Sequence, residues 1–297
     1  MNVHSFAESA SLLVGQLIAV VFLLAAPSKS NEPASVEKPA TDSMLGEEAG
    51  DVRDDNGLKM QFVWCPPGVV TMESVNNWSR LIPAELEKIT PVTGFVTHGY
   101  WIGKYEVTRS EWKQVMESEP WKGPNDKNAG ADFPATWVSW EDAMEFCRQL
   151  TGQERKSGRL LDGWEYTLPT EAQWERACRA RTETRFCFGD DPSPLGDYAW
   201  FRENTVAAGE DYSHRVGRKK PNAWGLCDMH GNVWEICRDY CAERPSGGRD
   251  PEMTAPEKFR VTRGGFWGHE ARYCSSGMRG QIGPAVCVPY QGFRVAL

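Results

Sequence analysis

Beyond residue 182, glycine, proline or asparagine recurs beside aromatic residues, and this pattern constrains the fold more than any other feature of the chain. The stretches that show it are FGDDPSPLGD, KKPNAWGL, MHGNVWE, RGGFW and QGFRV. Glycine and asparagine accept the left-handed backbone of tight turns, and proline interrupts helices. With 13 Trp, 28 Gly and 19 Pro in 297 residues, the chain favours short strands, tight turns and a core of large aromatic side chains. Long helices are expected to be few.

Three short helices are predicted in the middle of the chain. The residues at 108–111 and at 170–173 match the capping box, in which two side chains bond each other's backbone amides. Ser139 opens another helix, and Asp142 lies in its first turn at the positive end of the helix dipole. The faces expected to be buried contain Trp112, Val115 and Met116, then Ala143, Phe146, Cys147 and Leu150, then Trp174, Ala177 and Cys178. Short helices around irregular, mostly antiparallel strands predict an α+β fold.

The N-terminal segment resembles a targeting signal. Residues 12–26, LLVGQLIAVVFLLAA, are apolar but shorter than the roughly 20 residues that a spanning helix needs. Residues 1–30 are therefore predicted to be a signal peptide, and the chain to be exported to the periplasm, the secretory pathway or the extracellular space. The alternative is an uncleaved anchor that holds the chain to a membrane through residues 12–26.

Composition divides the rest of the chain. Residues 31–57 contain few large apolar side chains and many acids, which predicts a disordered acidic linker. From Leu58 to Leu297, apolar and aromatic residues recur without another such gap, which predicts a single domain. The formal net charge of −8 and the lack of basic clusters argue against nucleic acid as a partner.

Nine cysteines suit an exported protein, in which disulfides persist. The odd number leaves at least one cysteine unpaired, and the spacing does not identify the pairs. Cys237 and Cys241 are assigned to disulfides or packing, because no second close pair completes a zinc site. The sequence also lacks the glycine-rich phosphate loop, HExxH, CxxC and GxSxG.

Seven sequence blocks, in order, carry a family resemblance. They are PPG at 66–68, KYEVT at 104–108, VSWEDAMEFC at 138–147, LPTEAQWERACRA at 168–180, NAWGLCDMHGNVWE at 222–235, RGGFW at 263–267 and GFRV at 292–295. The set resembles the formylglycine-generating, sulfatase-modifying factor family over essentially all of residues 58–297. The resemblance implies a domain of low regular secondary structure related to the C-type lectin-like fold.

The resemblance also implies a site. Enzymes of this family oxidise a cysteine in the CxPxR segment of a sulfatase to formylglycine, using copper(I) held by two cysteine thiolates. In the stretch after RGG, the second thiolate position corresponds to Cys274 and the first to His269. A neutral imidazole is a harder donor than a thiolate and carries no negative charge, so copper(I) binding is expected to be weaker.

Two functions remain open on this basis. One is an oxidoreductase with an incomplete thiol pair, centred on Cys274 and His269, that modifies a sulfatase or another protein. The other is a non-catalytic, lectin-like binding or scaffold module for a peptide, a protein or a carbohydrate. In that second interpretation Cys274 is half of a structural disulfide, with Cys178 as a candidate partner.

The block GLCDMHGNVWE implies a calcium site in the same family. The corresponding ligands are the side chain of Asp228 and the backbone carbonyls at Met229, Gly231 and Val233. A carboxylate oxygen is a ligand that calcium prefers, and carbonyls do not depend on the side chain. The alternative is that Asp228 caps a turn and no ion binds.

Five further residues resemble positions that hold this fold together. They are Trp234, Glu235, Arg263, Arg279 and Arg294. A buried guanidinium needs a counter-charge, so glutamate partners are expected for these arginines.

Overall fold

The computed structural model describes residues 44–73, 75–76, 91–122 and 130–297. The predictions of a signal peptide or anchor at 1–30, and of a linker over 31–43, lie outside these residues. No helix in the described part is both long and apolar enough to cross a membrane.

Short strands carry most of the regular structure. In chain order they are β1 (Val52–Arg53), β2 (Phe62–Cys65), β3 (Gly68–Met72), β4 (Val75–Asn76), β5 (Val92–Val96), β6 (Tyr100–Gly103), β7 (Trp234–Tyr240), β8 (Gly248–Arg249), β9 (Arg260–Arg263), β10 (Met278–Ile282) and β11 (Gln291–Gly292). They form sheets ordered β1-β2-β6, β3-β5-β8 and β11-β7-β9-β10-β4. Neighbours are antiparallel except for β4 on β10, β11 on β7 and β8 on β5.

The three predicted helices form where their capping signals lie. They are α1 (Arg109–Met116), α2 (Trp140–Lys156) and α3 (Glu171–Arg179), and each begins with a capping box. A one-turn helix, α4 (Leu195–Tyr198), follows. The predicted faces are buried, apart from Met116, which is half-buried. Short helices combined with irregular strands confirm the α+β prediction.

Aromatic side chains join the helices to the C-terminal strand region. The ring of Phe146 from α2 stacks on Trp112 from α1 at 5.7 Å between centroids and meets the edge of Phe293 at 5.4 Å. All three rings are at most 2% exposed. Aromatic rings are therefore a large part of the packing in this core, as the composition predicts.

The fold begins before Leu58, in residues that composition assigned to the linker. Met44 is 4% exposed, and its carbonyl accepts the indole N–H of Trp101 at 2.6 Å. Strand β1 pairs with β2, and the buried Asn56 side chain bonds backbone groups of the following turn. Residues 44–57 are thus folded, because backbone pairing and a few polar contacts hold a segment that has little apolar surface.

The expected arginine partners are present. The buried pairs are Arg263 with Glu175, Arg279 with Glu171 and Arg294 with Glu235. The glutamates of the first two pairs come from α3, and the third comes from β7. Arg263 is the last residue of β9, so its pair with Glu175 connects α3 to the start of the loop that follows β9.

Candidate functional site

The loop after β9 doubles back on itself through two glycines. Gly264 and Gly265 have φ angles of +94° and +78°, which favour glycine. A Cβ atom at Gly265 would lie 2.9 Å from the sulfur of Cys274, so the loop can close only where this side chain is absent. The closed loop ends in a 3-10 turn at Ala271–Cys274.

Cys274 lies inside the protein. Its thiol is 0% exposed and packs in an apolar cluster with Phe186, Leu195, Ala199 and Phe201. Burial raises the pKa of this thiol above its ordinary value. The reactive form of cysteine is the thiolate, so this position is the opposite of an activated nucleophile.

His230 lies beside Cys274 and links it to α3. Its Nδ1 donates to the Cys274 carbonyl at 2.8 Å, and its Nε2 accepts the backbone N–H of Cys187 at 3.1 Å. The Cys178 sulfur is 3.8 Å from the same Nε2. All nine cysteines are free thiols, so the proposed disulfide between Cys178 and Cys274 is not present in this structure.

His269 lies among aromatic rings. Its ring centroid is 4.1 Å from Phe266, 4.9 Å from Tyr273 and 5.4 Å from Trp234. Burial lowers the pKa of His269 to about 4, and its Nδ1 has no hydrogen-bond partner. The imidazole is therefore neutral at ordinary pH. Among the described residues, no group of three or more histidine, cysteine or acidic side chains could hold a metal ion.

Four partly exposed rings form a row along this surface, which we call the aromatic row: Tyr273, His269, Phe266 and Tyr290. Phe266 and Tyr290 stack at 4.7 Å between centroids. Tyr290 reaches the row from the segment before β11, which lies outside the resemblance blocks, and this explains why sequence reasoning did not find it.

The predicted calcium turn has a strained backbone and one carboxylate oxygen without a partner. Asp228 and Asn232 have positive φ angles of 58° and 60°. Asp228 is 1% exposed, and its Oδ2 accepts the N–H of Gly217 at 2.6 Å, whereas its Oδ1 has no hydrogen-bond partner. Burial raises the pKa of Asp228 to about 6. The carboxylate thus caps a loop with one oxygen and leaves the other available.

The backbone ligands expected in this turn are also buried, at Met229, Gly231 and Val233. The Met229 carbonyl accepts the thiol of Cys178 at 3.7 Å, so it is already engaged. At Gly231 a Cβ would lie 2.3 Å from a Trp200 carbonyl, so glycine is required.

A second buried acid, which the sequence did not predict as part of a site, lies near the turn. Glu106 is 1% exposed, and its Oε2 has no partner, while its Oε1 accepts the side-chain amide of Asn232 at 3.0 Å. Burial first, and the charge of Asp228 second, raise the pKa of Glu106 well above its ordinary value. Two buried carboxyl oxygens, one from Asp228 in the turn and one from the neighbouring Glu106, thus have no hydrogen-bond partner.

Asn232 joins this turn to the loop of the aromatic row. Its carbonyl accepts the N–H of Trp267 at 3.0 Å, and its side-chain oxygen accepts the N–H of His214 at 2.8 Å. The two predicted sites are thus mechanically connected, although they do not share ligands.

Residues 49–297 match the protein family described as the sulfatase-modifying factor enzyme 1-like domain. The chain belongs to this family. It is 29% identical to the bovine formylglycine-generating enzyme over 247 residues, covering 72% of this chain and 62% of that protein. It is 25% identical over 291 residues to the mouse inactive C-alpha-formylglycine-generating enzyme 2, covering 88% of this chain and 84% of that protein.

A solved structure shows the same architecture. Treponema denticola variable protein 1 superposes with a TM-score of 0.65 at 26% identity, covering 83% of this chain and 98% of that one. The prediction of a formylglycine-generating-enzyme-like domain related to C-type lectins is confirmed. The chain spans about three fifths of the bovine enzyme's length, and the family includes a relative named as inactive.

Within this sulfatase-modifying factor domain, the loop residues offer different chemistry from a thiol pair. Cys274 supplies a protonated, enclosed thiol, and His269 supplies a neutral ring in a partly exposed aromatic surface. Such a surface suits apolar and stacking contacts with a ligand.

Proposed function

We propose that this sulfatase-modifying factor family protein is an exported binding module that holds a peptide segment of a partner protein on the aromatic row without oxidising it. The observation that carries the proposal is the position of Cys274, whose thiol is 0% exposed within an apolar cluster. Export rests on the apolar run at residues 12–26. A sulfatase-like polypeptide is the partner class that the family description favours.

The donors in the loop do not fit copper(I). This ion is soft and prefers sulfur, whereas the loop offers one buried thiol with a raised pKa and one imidazole. Ligand thiols must lose their proton when they bind a metal, and burial opposes that loss. An oxidation that needs both donors at an accessible site is therefore not supported.

The aromatic row fits a binding role. Its rings are partly exposed, and partly exposed aromatic side chains are the usual anchors of protein recognition surfaces. Hydrogen bonds from Arg202 N–H to the His269 carbonyl, and from the Thr205 hydroxyl to the Trp267 carbonyl, brace the loop from behind. A braced surface loses little conformational entropy when a ligand binds.

The test combines turnover and binding. The reduced protein is incubated with copper(I) and a CxPxR peptide, and mass spectrometry follows the peptide cysteine. We expect no conversion, while Phe266→Ala weakens peptide binding. Conversion of the cysteine to formylglycine would overturn the proposal, and an oligosaccharide array shows whether carbohydrate is the ligand instead.

The His269→Cys variant is the matched control for copper. It restores a second thiol to the loop, but the Cys274 thiol still faces the apolar cluster. We expect copper(I) affinity no higher than that of a single accessible thiol. High affinity in this variant would show that Cys274 can turn outward, and would remove the main support of the proposal.

We also propose that a calcium ion binds at the turn of Asp228. The fit rests on the unpartnered Asp228 Oδ1 and Glu106 Oε2, because buried carboxylate oxygens without donors are a hard-cation environment. Carbonyls at Gly231 and Val233 would complete the ligands, and that of Met229 would first have to leave the Cys178 thiol. The ion would be structural, stabilising the turn that Asn232 connects to the aromatic row.

A further inference from the structure

Trp137 is an exposed indole on a strained backbone. Its φ angle is +59°, and its side chain is 40% exposed. A positive φ is a genuine outlier for a bulky residue, and such strain is retained where the surroundings impose it. The surroundings do so here: Trp137 N–H donates to the Val288 carbonyl at 3.1 Å, and the next carbonyl, of Val138, accepts the Gln291 amide at 3.2 Å. The backbone is fixed on both sides and the indole points outward.

An uncharged loop lies beside this indole. Residues 283–289 read GPAVCVP and contain no polar side chain other than a thiol. Val286 is 43% exposed and ends a turn, which its N–H closes by donating to the Gly283 carbonyl at 3.0 Å. The loop rests on the start of α2, where the Glu141 N–H donates to the Pro284 carbonyl at 3.3 Å. We call Trp137 together with residues 284–289 the Trp137 patch.

The Trp137 patch continues the aromatic row. Tyr290 immediately follows the loop and stacks on Phe266 in the row. The Trp137 N–H is bonded to Val288, two residues before Tyr290. A strip of surface residues thus leads from His269 through Phe266 and Tyr290, and then along the chain to Val288, whose carbonyl binds Trp137.

The rim of the patch is acidic. Glu141 is exposed and forms no ion pair among the described residues. Asp142 lies next to Glu141. Its carboxylate accepts a hydrogen bond from the Ser139 hydroxyl and lies 4.0 Å from the Cys287 sulfur. The net charge of −8 argues against an anionic lipid as the occupant of the patch. A ligand with a lysine or arginine side chain would complement this acidic rim.

We infer that the Trp137 patch is a second part of the peptide-binding surface, and that it takes an extended segment carrying apolar side chains next to a lysine or arginine. The inference rests on the proposed function, because it extends the same surface. Apolar side chains of the peptide cover the indole and Val286, and the basic residue meets Glu141. Desolvation of an exposed indole by a ligand is the type of contact that dominates binding energy.

The probe is a phage library of random 12-residue peptides, selected on the full chain. Selected peptides are synthesised and their dissociation constants measured on Trp137→Ala, Glu141→Gln and Phe266→Ala. Phe95→Ala is the matched control, because Phe95 is also 40% exposed but lies on β5, outside the strip. Thermal midpoints verify that each variant is folded.

We expect enriched peptides to pair aromatic or aliphatic residues with a lysine or arginine. Trp137→Ala should weaken them at least about tenfold, Glu141→Gln should weaken them and reduce the salt dependence, and Phe95→Ala should have no effect. Peptides that lose affinity with Phe266→Ala but not with Trp137→Ala overturn the inference and leave the proposed function intact. If neither substitution changes the affinity of the selected peptides, both the inference and the proposed function are overturned.

A second experiment tests whether the Trp137 patch binds a lipid surface instead of a peptide. The chain is mixed with phosphatidylcholine vesicles and with vesicles that also contain phosphatidylserine. Binding to either that is lost in Trp137→Ala assigns the patch to membrane contact and overturns the inference.

Discussion

Replacing Glu235 by glutamine should cause one of the largest single losses of stability in this protein. Glu235 and Arg294 are both 0% exposed. The carboxylate accepts Arg294 Nε and Nη2 at 2.5 Å each, and it accepts the indole N–H of Trp174 at 2.6 Å. Glutamine keeps the volume but removes the charge and points an amide donor at donors of the guanidinium.

The size of the expected stability loss follows from the charge of Arg294, which the substitution leaves without its main partner. Breaking a buried ion pair by removing one partner costs about 3–5 kcal/mol. The charge of Asp228 also acts on Arg294, so part of the counter-charge remains and the lower end of this range applies. At roughly 2–4 °C per kcal/mol for a domain of this size, a loss of about 3 kcal/mol lowers the melting temperature by roughly 6–12 °C.

The assay is urea unfolding followed by tryptophan fluorescence, with calorimetry for the melting temperature. The matched control is Glu145→Gln, which removes the same charge from a surface pair with Arg148, whose side chain is 72% exposed. We expect no measurable change in the control, because exposed pairs contribute little. Equal effects of the two substitutions would refute the reasoning from burial.

Three further outcomes follow from the site. In the native protein, iodoacetamide should modify exposed Cys287 much faster than buried Cys274, and peptide mapping that finds similar rates would contradict the buried position of the Cys274 thiol. The imidazole of His269 should titrate near pH 4 in NMR spectra; because its pKa is below the unfolded value, this group favours folding above pH 6.5 and loses that contribution as the pH falls towards 4. A His269→Phe variant should lack this part of the pH dependence. Added calcium should raise the melting temperature of the wild type but not of Asp228→Asn, and an equal rise in both would exclude Asp228 as a ligand.

The helices could be predicted because their signals are local. A capping box needs only residues three apart, and Thr108, Ser139 and Thr170 each accept a backbone N–H at the predicted helix start. The turn at Gly264 and Gly265 is also marked locally, because glycine accepts the positive φ angles that the turn needs. Such features need no knowledge of the rest of the chain.

Long-range pairing could not be predicted in the same way. Strand β11 pairs in parallel with the start of β7, Gln291 with Trp234, although both segments are short and distant in sequence. Residues 44–57 look like a linker by composition, yet the Met44 carbonyl binds the indole of Trp101. In each case the partner, rather than the segment itself, decides the structure.

In the candidate site, too, some features are predictable from the local sequence and others depend on distant residues. Resemblance located Cys274 in the sequence, but the direction of its thiol depends on Phe186 and Leu195, which approach from a distant part of the chain. The exposed position of Trp137 could not be predicted from the sequence, because tryptophan is usually a largely buried residue. Its positive φ angle depends on the backbone hydrogen bond to Val288, which lies far away in the sequence.

Arg263 explains why the loop can keep its shape without a thiol pair. Its guanidinium donates to the carbonyls of residues 276–278 at 2.8–3.1 Å and pairs with Glu175 of α3. Arg263 stands immediately before the two glycines, and those carbonyls follow Cys274, so one side chain closes both ends of the loop. The hydrogen bonds of this closure come from Arg263 and not from the side chain of His269. An imidazole rather than a thiol at residue 269 therefore changes the chemistry of the loop without removing the contacts that hold its shape.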